Sequence, residues 1–125
     1  MANRLLSVLL LLSLGSLLGC GDGRPQRVMV SGIVVIDDEP ITQGAIKFVP
    51  EGARTSFSLI DKDGRFNMTC YEDADGIVPG KHRVAVTANK ALGDSGMEWF
   101  APKKYSDHRT SGLEYTIEEL SLIHI

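Results

Sequence analysis

Short runs of alternating apolar and polar residues, separated by turn-forming residues, recur along this chain after residue 27. A period of two is typical of a strand, because successive side chains point to opposite faces of a sheet. No amphipathic run is long enough for more than about two helical turns. The pattern predicts an all-β fold, an antiparallel β-sandwich. The runs that carry it are residues 28–36, 45–49, 55–60, 65–69, 82–88 and 113–117.

The strongest hairpin signal joins residues 55–60 to residues 65–69 through Asp-Lys-Asp-Gly. Its Gly64 accepts the positive φ that a tight turn demands. In the first run, Phe57 and Leu59 alternate with two serines, so one face is apolar and the other polar. This pattern predicts two adjacent, paired strands.

Two other segments have distinct patterns. Residues 28–36 carry apolar side chains on both faces, which predicts a strand buried on both sides. Residues 89–96 are rich in Gly and Asp and predict a loop.

The beginning of the chain carries a targeting signal. Arg4 precedes an apolar run from Leu5 to Leu18, and Cys20 follows Leu-Leu-Gly at its end. A helix over this run spans roughly 21 Å against a hydrocarbon core of about 30 Å, which favours a signal peptide over a plain membrane anchor. The Leu-Leu-Gly-Cys end resembles the lipobox of bacterial lipoproteins. The resemblance implies that residues 1–19 form a cleaved signal-peptide helix and that Cys20 is acylated on its thiol and its new amino group.

Residues 20–27 would then be a lipidated tether, polar and interrupted by Gly and Pro. The formal net charge of −3, without a block of like charge, argues against nucleic acid as a partner. The expected partner is the membrane, because two or more acyl chains anchor a protein stably. With Cys20 acylated, Cys70 has no intrachain disulfide partner, and its place in a predicted strand indicates a buried, inert thiol.

Several short motifs together are similar to the carboxypeptidase regulatory-like domain. This resemblance covers residues 28–119 and implies a transthyretin-like (prealbumin-like) Greek-key β-sandwich of about seven strands. Such domains are usually non-catalytic supports, spacers or binding modules. A later run, residues 102–107 together with residues 110–113, is similar to the subset found as small bacterial surface lipoproteins. The motifs are Val-Ser-Gly-Ile-Val at 30–34, Pro40-Ile41 with Gly44, Ile-Lys-Phe-Val-Pro at 46–50, Asp-Lys-Asp-Gly-Arg-Phe at 61–66, and Val-Pro-Gly-Lys-His-Arg-Val at 78–84.

The last six residues, 120–125, do not fit the preceding pattern. They follow Glu119 without a turn, and Leu-Ser-Leu-Ile-His-Ile resembles the translated end of a transposon used to prepare sequencing libraries. We therefore expect residues 120–125 to be a sequencing or cloning artefact. The alternative is a genuine apolar terminal strand.

The sequence contains few candidate metal ligands. Asp61 and Asp63 have part of a calcium-loop spacing, but the glutamate that should follow is missing, so turn chemistry accounts for them. His82 and His108 are too loosely spaced for a zinc motif, and we expect both to be packed or surface residues. The sequence predicts no metal and no cofactor.

One aromatic cluster is a candidate ligand site. Trp99, Phe100 and Tyr105 lie in a predicted loop, where exposed rings stack on sugars or anchor a peptide. The alternative, which we favour, is that they fold back and cap the open end of the sandwich.

The sequence predicts a non-catalytic lipoprotein of the cell envelope, anchored to the inner or outer membrane with its domain in the periplasm or at the cell surface. An enzyme is disfavoured, since neither a Gly-x-Ser-x-Gly elbow nor a His-Glu-x-x-His helix is present. The β domain would be structural or binding. The alternative is a carbohydrate- or peptide-binding module that uses the aromatic loop, with cell-wall polysaccharide or another envelope protein as its partner.

Overall fold

A computed structural model describes residues 23–118 and the backbone of residues 121–124. The predicted signal peptide and Cys20 lie outside the described residues, as do Leu120 and Ile125 of the suspected terminal artefact.

The described part of the chain is built of short strands, which confirms the all-β prediction. Its only helical segments are two single 3-10 turns, Gly93–Ser95 and Lys103–Ser106. The described residues form eleven strands rather than about seven, because the predicted run 28–36 divides into two strands and four short strands form outside the predicted runs. They are β1 (Val30–Ile33), β2 (Val35–Ile36), β3 (Glu39–Pro40), β4 (Ala45–Pro50), β5 (Ser56–Leu59), β6 (Arg65–Asn67), β7 (Gly80–Thr87), β8 (Asn89–Ala91), β9 (Met97–Trp99), β10 (Leu113–Ile117) and β11 (Ser121–His124).

Two sheets and two small hairpins contain these strands. The larger sheet has the order β10-β7-β4-β5 and is antiparallel throughout. The smaller sheet has the order β11-β1-β6, with β1 antiparallel to β6 and parallel to β11. The hairpins are β2-β3 and β8-β9.

Side chains from both sheets meet in one hydrophobic core. Ile46, Phe48 and Val84 come from the larger sheet, and Val30 and Phe66 from the smaller one. Full burial of such a side chain contributes about 1.5–3 kcal/mol, so this shared core holds the two sheets together. The other fully enclosed members are Val34, Ile41, Ile60, Met68, Ile77, Val86, Ala88, Ala101 and Ile117.

The predicted hairpin around residues 61–64 has the expected turn but not the expected pairing. Gly64 has φ +79°, and its N–H donates to the Asp61 carbonyl at 3.0 Å. The two arms are bonded beside the turn and again where Phe57 bridges Thr69. Between these points β5 pairs with β4, whereas β6 pairs with β1 in the other sheet. The segment is therefore a corner between sheets.

The polar face of β5 is buried in the core, and its apolar face is exposed to solvent. Ser56 and Ser58 are buried, whereas Phe57 and Leu59 are 49% and 74% exposed. Register explains this inversion, because Ser56 lies opposite the core residue Phe48. The Ser58 hydroxyl is satisfied in the interior, because it accepts a hydrogen bond from the Asn67 backbone N–H at 3.0 Å, where the two arms of the hairpin separate.

Residues 28–36 are not buried on both sides as predicted. Val30 and Val34 are buried, but Met29 on the other face is 56% exposed. After Val34 the chain enters the β2-β3 hairpin, whose two-residue turn places Asp37 and Asp38 at φ 52° and 67°. Positive φ at both positions matches the twist of a tight hairpin.

The prediction of a loop over residues 89–96 is wrong in part. Residues 89–91 form β8 and pair with β9, with a 3-10 turn between the two strands. Each strand has only three residues, too short for a recognisable alternation.

Candidate functional site

The three aromatic candidates lie near one another along the chain but have different surroundings. Trp99 ends β9 and is partly buried, with the Lys103 ammonium 5.9 Å from its ring centroid. Phe100 is 37% exposed, and its N–H donates to the Ala88 carbonyl at 2.8 Å. Tyr105 lies in the second 3-10 turn and packs, partly buried, against the core.

Tyr105 and Phe100 line two different grooves. Tyr105 lines a groove of about 300 Å³ whose other walls are largely apolar. Phe100 lines a second groove of about 490 Å³. Both grooves include Ile36 and Asp37, whereas Trp99 lines neither of them. The remaining walls of the Tyr105 groove are Val34, Val35, Val86, Pro102 and Leu113.

The Tyr105 groove has the composition of a small-ligand site, with apolar walls and a few polar groups. The residues in its lining that carry polar side-chain groups are Asp37 and Tyr105. Of the three aromatic residues, Tyr105 is therefore the one that the structure places in an apolar groove.

A third groove, of about 340 Å³, is charged and was not apparent from the sequence. Lys81 and Arg83 project from β7 and share the carboxylate of Glu114 on β10, at 3.4 and 3.7 Å. Glu51 and His108 also line the groove. The two carboxylates balance the two cations, so the groove has no strong preference for an anion.

The loop beside this groove holds a tight ion pair. The Arg109 guanidinium donates to both carboxylate oxygens of Asp107, the shortest contact being 2.8 Å. This side-chain hydrogen bond, with a further one from the Arg109 backbone N–H, lowers the pKa of Asp107 to about 2. Asp107 therefore stays ionised at any physiological pH.

The two histidines occupy different environments. The His82 side chain is fully buried, with its ring edge-on to Phe48, and its Nε2 lies 2.7 Å from the Val78 carbonyl oxygen. A carbonyl only accepts, so Nε2 must carry the proton. Within the described part of the chain, Nδ1 has no hydrogen-bond partner. His108 is partly exposed, 3.9 Å from the Asp107 carboxylate.

Asp61 and Asp63, the candidate cation ligands, belong to the turn. One Asp61 carboxylate oxygen accepts backbone N–H bonds from Asp63 at 2.8 Å and Arg65 at 2.9 Å. These two bonds lower the pKa of Asp61. Among the residues that the structure describes, no group of three or more His, Cys, Asp and Glu side chains is arranged to hold a metal ion.

A cation–aromatic cluster, which sequence reasoning missed, surrounds Tyr71. The guanidinium carbons of Arg24, Arg27 and Arg54 lie 5.0, 5.2 and 5.0 Å from the Tyr71 ring centroid. We call these four residues the Tyr71 cluster. The Arg54 guanidinium also donates to the carbonyl of Cys70 at 2.8 Å. No spacing signal links the four residues, because they come from three separate segments.

The loop that carries Tyr71 is held by the carboxylate of Asp75. One oxygen accepts the Cys70 N–H at 2.7 Å, and the other accepts the N–H groups of Tyr71 and Glu72, both at 3.1 Å. Arg27 forms an ion pair with it at 3.0 Å. Cys70 itself is 4% exposed and forms no disulfide, which confirms the prediction of a buried thiol.

None of the helical segments in residues 23–118 is long and apolar enough to span a membrane.

Comparisons with known proteins return no match: no family model, no curated protein and no solved structure is significantly similar to this chain.

Proposed function

We propose that this chain is a lipid-anchored protein of a bacterial cell envelope, whose β domain is structural or binding and has no chemistry of its own. The sequence around Cys20 carries the proposal: a positive residue, a short apolar run, and Leu-Leu-Gly-Cys at its end. Two or more acyl chains on Cys20 would anchor the domain stably. The domain would lie in the periplasm or at the cell surface.

The domain fold is consistent with the transthyretin-like Greek-key sandwich that the motifs resemble. Two mainly antiparallel sheets share one core. Three glycines of the motifs lie at positions that favour glycine: Gly64 in a turn with φ +79°, Gly80 at the start of β7 with φ +130°, and Gly44 against Thr87. A β-carbon on Gly44 would lie 2.3 Å from the Thr87 carbonyl oxygen, so only glycine fits there. These features support a carboxypeptidase regulatory-like domain.

Metabolic labelling with radioactive palmitate tests the anchor. We expect the wild-type protein to be labelled and C20S to remain an unlabelled precursor. The matched control is C70S, which replaces the buried thiol and should be labelled normally. Labelling of C20S, or no labelling of the wild type, would overturn the proposal.

The Tyr105 groove favours a second candidate function, the binding of a carbohydrate or a peptide. An aromatic ring beside a carboxylate and apolar walls is suited to a sugar ring or a short apolar segment. A panel of glycans and peptidoglycan fragments tests this. For any ligand found, Y105A should weaken affinity about tenfold, while W99F should retain it, because Trp99 lies outside the groove. Equal losses in both variants would rule out this groove.

A further inference from the structure

The segment before β1 is docked on the domain and is not a free tether. Val28 and Ile77 exchange two backbone hydrogen bonds, of 2.7 and 2.8 Å. Beneath this bridge lies Gly76, at φ +101°, where an added β-carbon would lie 2.0 Å from the Val28 carbonyl oxygen. The backbone of the segment therefore rests directly on residues 76–77.

Two arginines of the same segment extend this attachment toward Cys20. Arg27 pairs with Asp75 at 3.0 Å, and both side chains are largely buried, at 18% and 12% exposure. Arg24 pairs with Glu72 at 3.4 Å. Both guanidinium groups also lie about 5 Å from the Tyr71 ring centroid, within the range of a cation–π interaction. The predicted tether of residues 20–27 is thus attached to the domain from Arg24 onward.

The length of chain left free is therefore short. Three residues, 21–23, separate Arg24 from Cys20, and the four fully extended Cα–Cα steps between these two residues span no more than about 14 Å. A lipid on Cys20 would hold the Tyr71 cluster close to the bilayer surface.

Strand direction places the aromatic loop at the opposite end of the molecule. Ile77 beneath the docked segment precedes β7, whereas Ala88, bonded to Phe100, follows it. The eight residues of β7 extend over about 25 Å. Trp99 pairs with Asn89 at the same far end.

We propose that the Tyr71 cluster is a clamp that orients the domain on the membrane, with Tyr71 and Glu72 next to the lipid headgroups and Trp99 and Phe100 turned away from them. This inference rests on the proposed acylation of Cys20. It assigns the Trp99 end of the molecule as the surface available to other envelope components. A free spacer, by contrast, would present every face of the domain equally.

Trypsin tests the clamp independently of acylation. In the detergent-solubilised full chain, Arg27 is a reporter, because cleavage after it separates the domain from the lipid-bearing segment, and Pro25 blocks cleavage after Arg24. Cleavage after Arg27 requires local opening of the clamp. Loss of the ring's contacts with Arg24, Arg27 and Arg54 in Y71A should accelerate it about tenfold. The matched control Y71F keeps the ring and should be cleaved at the wild-type rate.

Wild-type cleavage as fast as that of Y71A would overturn the clamp. A Y71A protein without the native Trp99 emission spectrum is not folded, and R24Q is then used in place of Y71A. R24Q removes one cation from the Tyr71 ring and leaves the domain intact. We expect cleavage of R24Q to be about threefold faster than that of the wild type. An unchanged rate in R24Q would then count against the clamp.

Energy transfer to a headgroup-labelled acceptor lipid tests the orientation in vesicles. Trp99 is the only tryptophan of the chain, so wild-type protein reports the far end. A W99F/D73W variant reports the near end, because Asp73 is exposed in the loop that carries Tyr71. We expect stronger transfer from position 73, and equal or reversed efficiencies would overturn the orientation. The mass of the N-terminal peptide is measured on the same sample, so that a missing acyl group, which contradicts the proposed function, is distinguished from a wrong orientation.

Discussion

The Asp75 carboxylate is the best single place to perturb the loop that carries Tyr71. D75N keeps the size of the side chain but replaces one accepting oxygen with an NH2 group, which cannot accept. The remaining oxygen can still accept the Cys70 N–H. The N–H groups of Tyr71 and Glu72 lose their acceptor, and Arg27 loses the charge it faces at 3.0 Å.

These contacts set the expected size of the effect. A hydrogen bond to a charged group contributes about 1.5–3 kcal/mol. Glu72 is exposed and Tyr71 partly so, which lets water replace part of what is lost, and we assign about 1 kcal/mol to each bond. The pair with Arg27 adds about 1 kcal/mol. We therefore expect D75N to lower the free energy of unfolding by about 3 kcal/mol at pH 7.

The destabilisation caused by D75N should also depend on pH. Burial acts to raise the pKa of Asp75, but the N–H groups of Cys70, Glu72 and Tyr71 and the charge of Arg27 outweigh it and hold the pKa below its ordinary 3.8. A carboxyl whose pKa is lower in the folded state stabilises the fold above its unfolded pKa, and this contribution is lost as pH falls through the folded pKa. The difference between wild type and D75N should therefore shrink as the pH falls below about 4.

Urea unfolding followed by Trp99 emission measures both effects. The matched control is D73N, a change at an exposed carboxylate in the same loop, which should stay within about 0.5 kcal/mol of wild type. A D75N protein as stable as D73N at pH 7 would show that the Asp75 carboxylate does not hold this loop. A difference that grew as the pH fell below about 4 would contradict the expected pH dependence.

The inverted burial of β5 gives two further predictions. L59A should change the free energy of unfolding by no more than about 0.5 kcal/mol, because the Leu59 side chain is 74% exposed. I46A, on the neighbouring strand, should cost about 2–5 kcal/mol, because Ile46 is fully buried in the core. Thermal or urea unfolding measures both changes. A larger loss of stability for L59A than for I46A would show that β5 buries the face that carries Leu59.

Two neighbouring strands of the larger sheet, β7 and β10, were predictable from the sequence. In β7, Val84 and Val86 alternate with more polar residues, and in β10 Leu113, Tyr115 and Ile117 do the same. Each of these strands has one face on the core, which imposes the period of two.

The failures of prediction have physical causes. On β5, an edge strand, register with β4 decides which face is buried, and local alternation carries no information about that register. β6 leaves its hairpin partner for β1, a long-range choice that the turn sequence does not specify. The Tyr71 cluster joins residues as distant as Arg24 and Tyr71, so only the folded chain brings them together.

Mass spectrometry of the N-terminal peptide from the membrane fraction tests the proposed lipid anchor directly. We expect a chain that begins at Cys20 and carries acyl groups on its thiol and amino group. A chain that retains residues 1–19 with an unmodified Cys20 would contradict it.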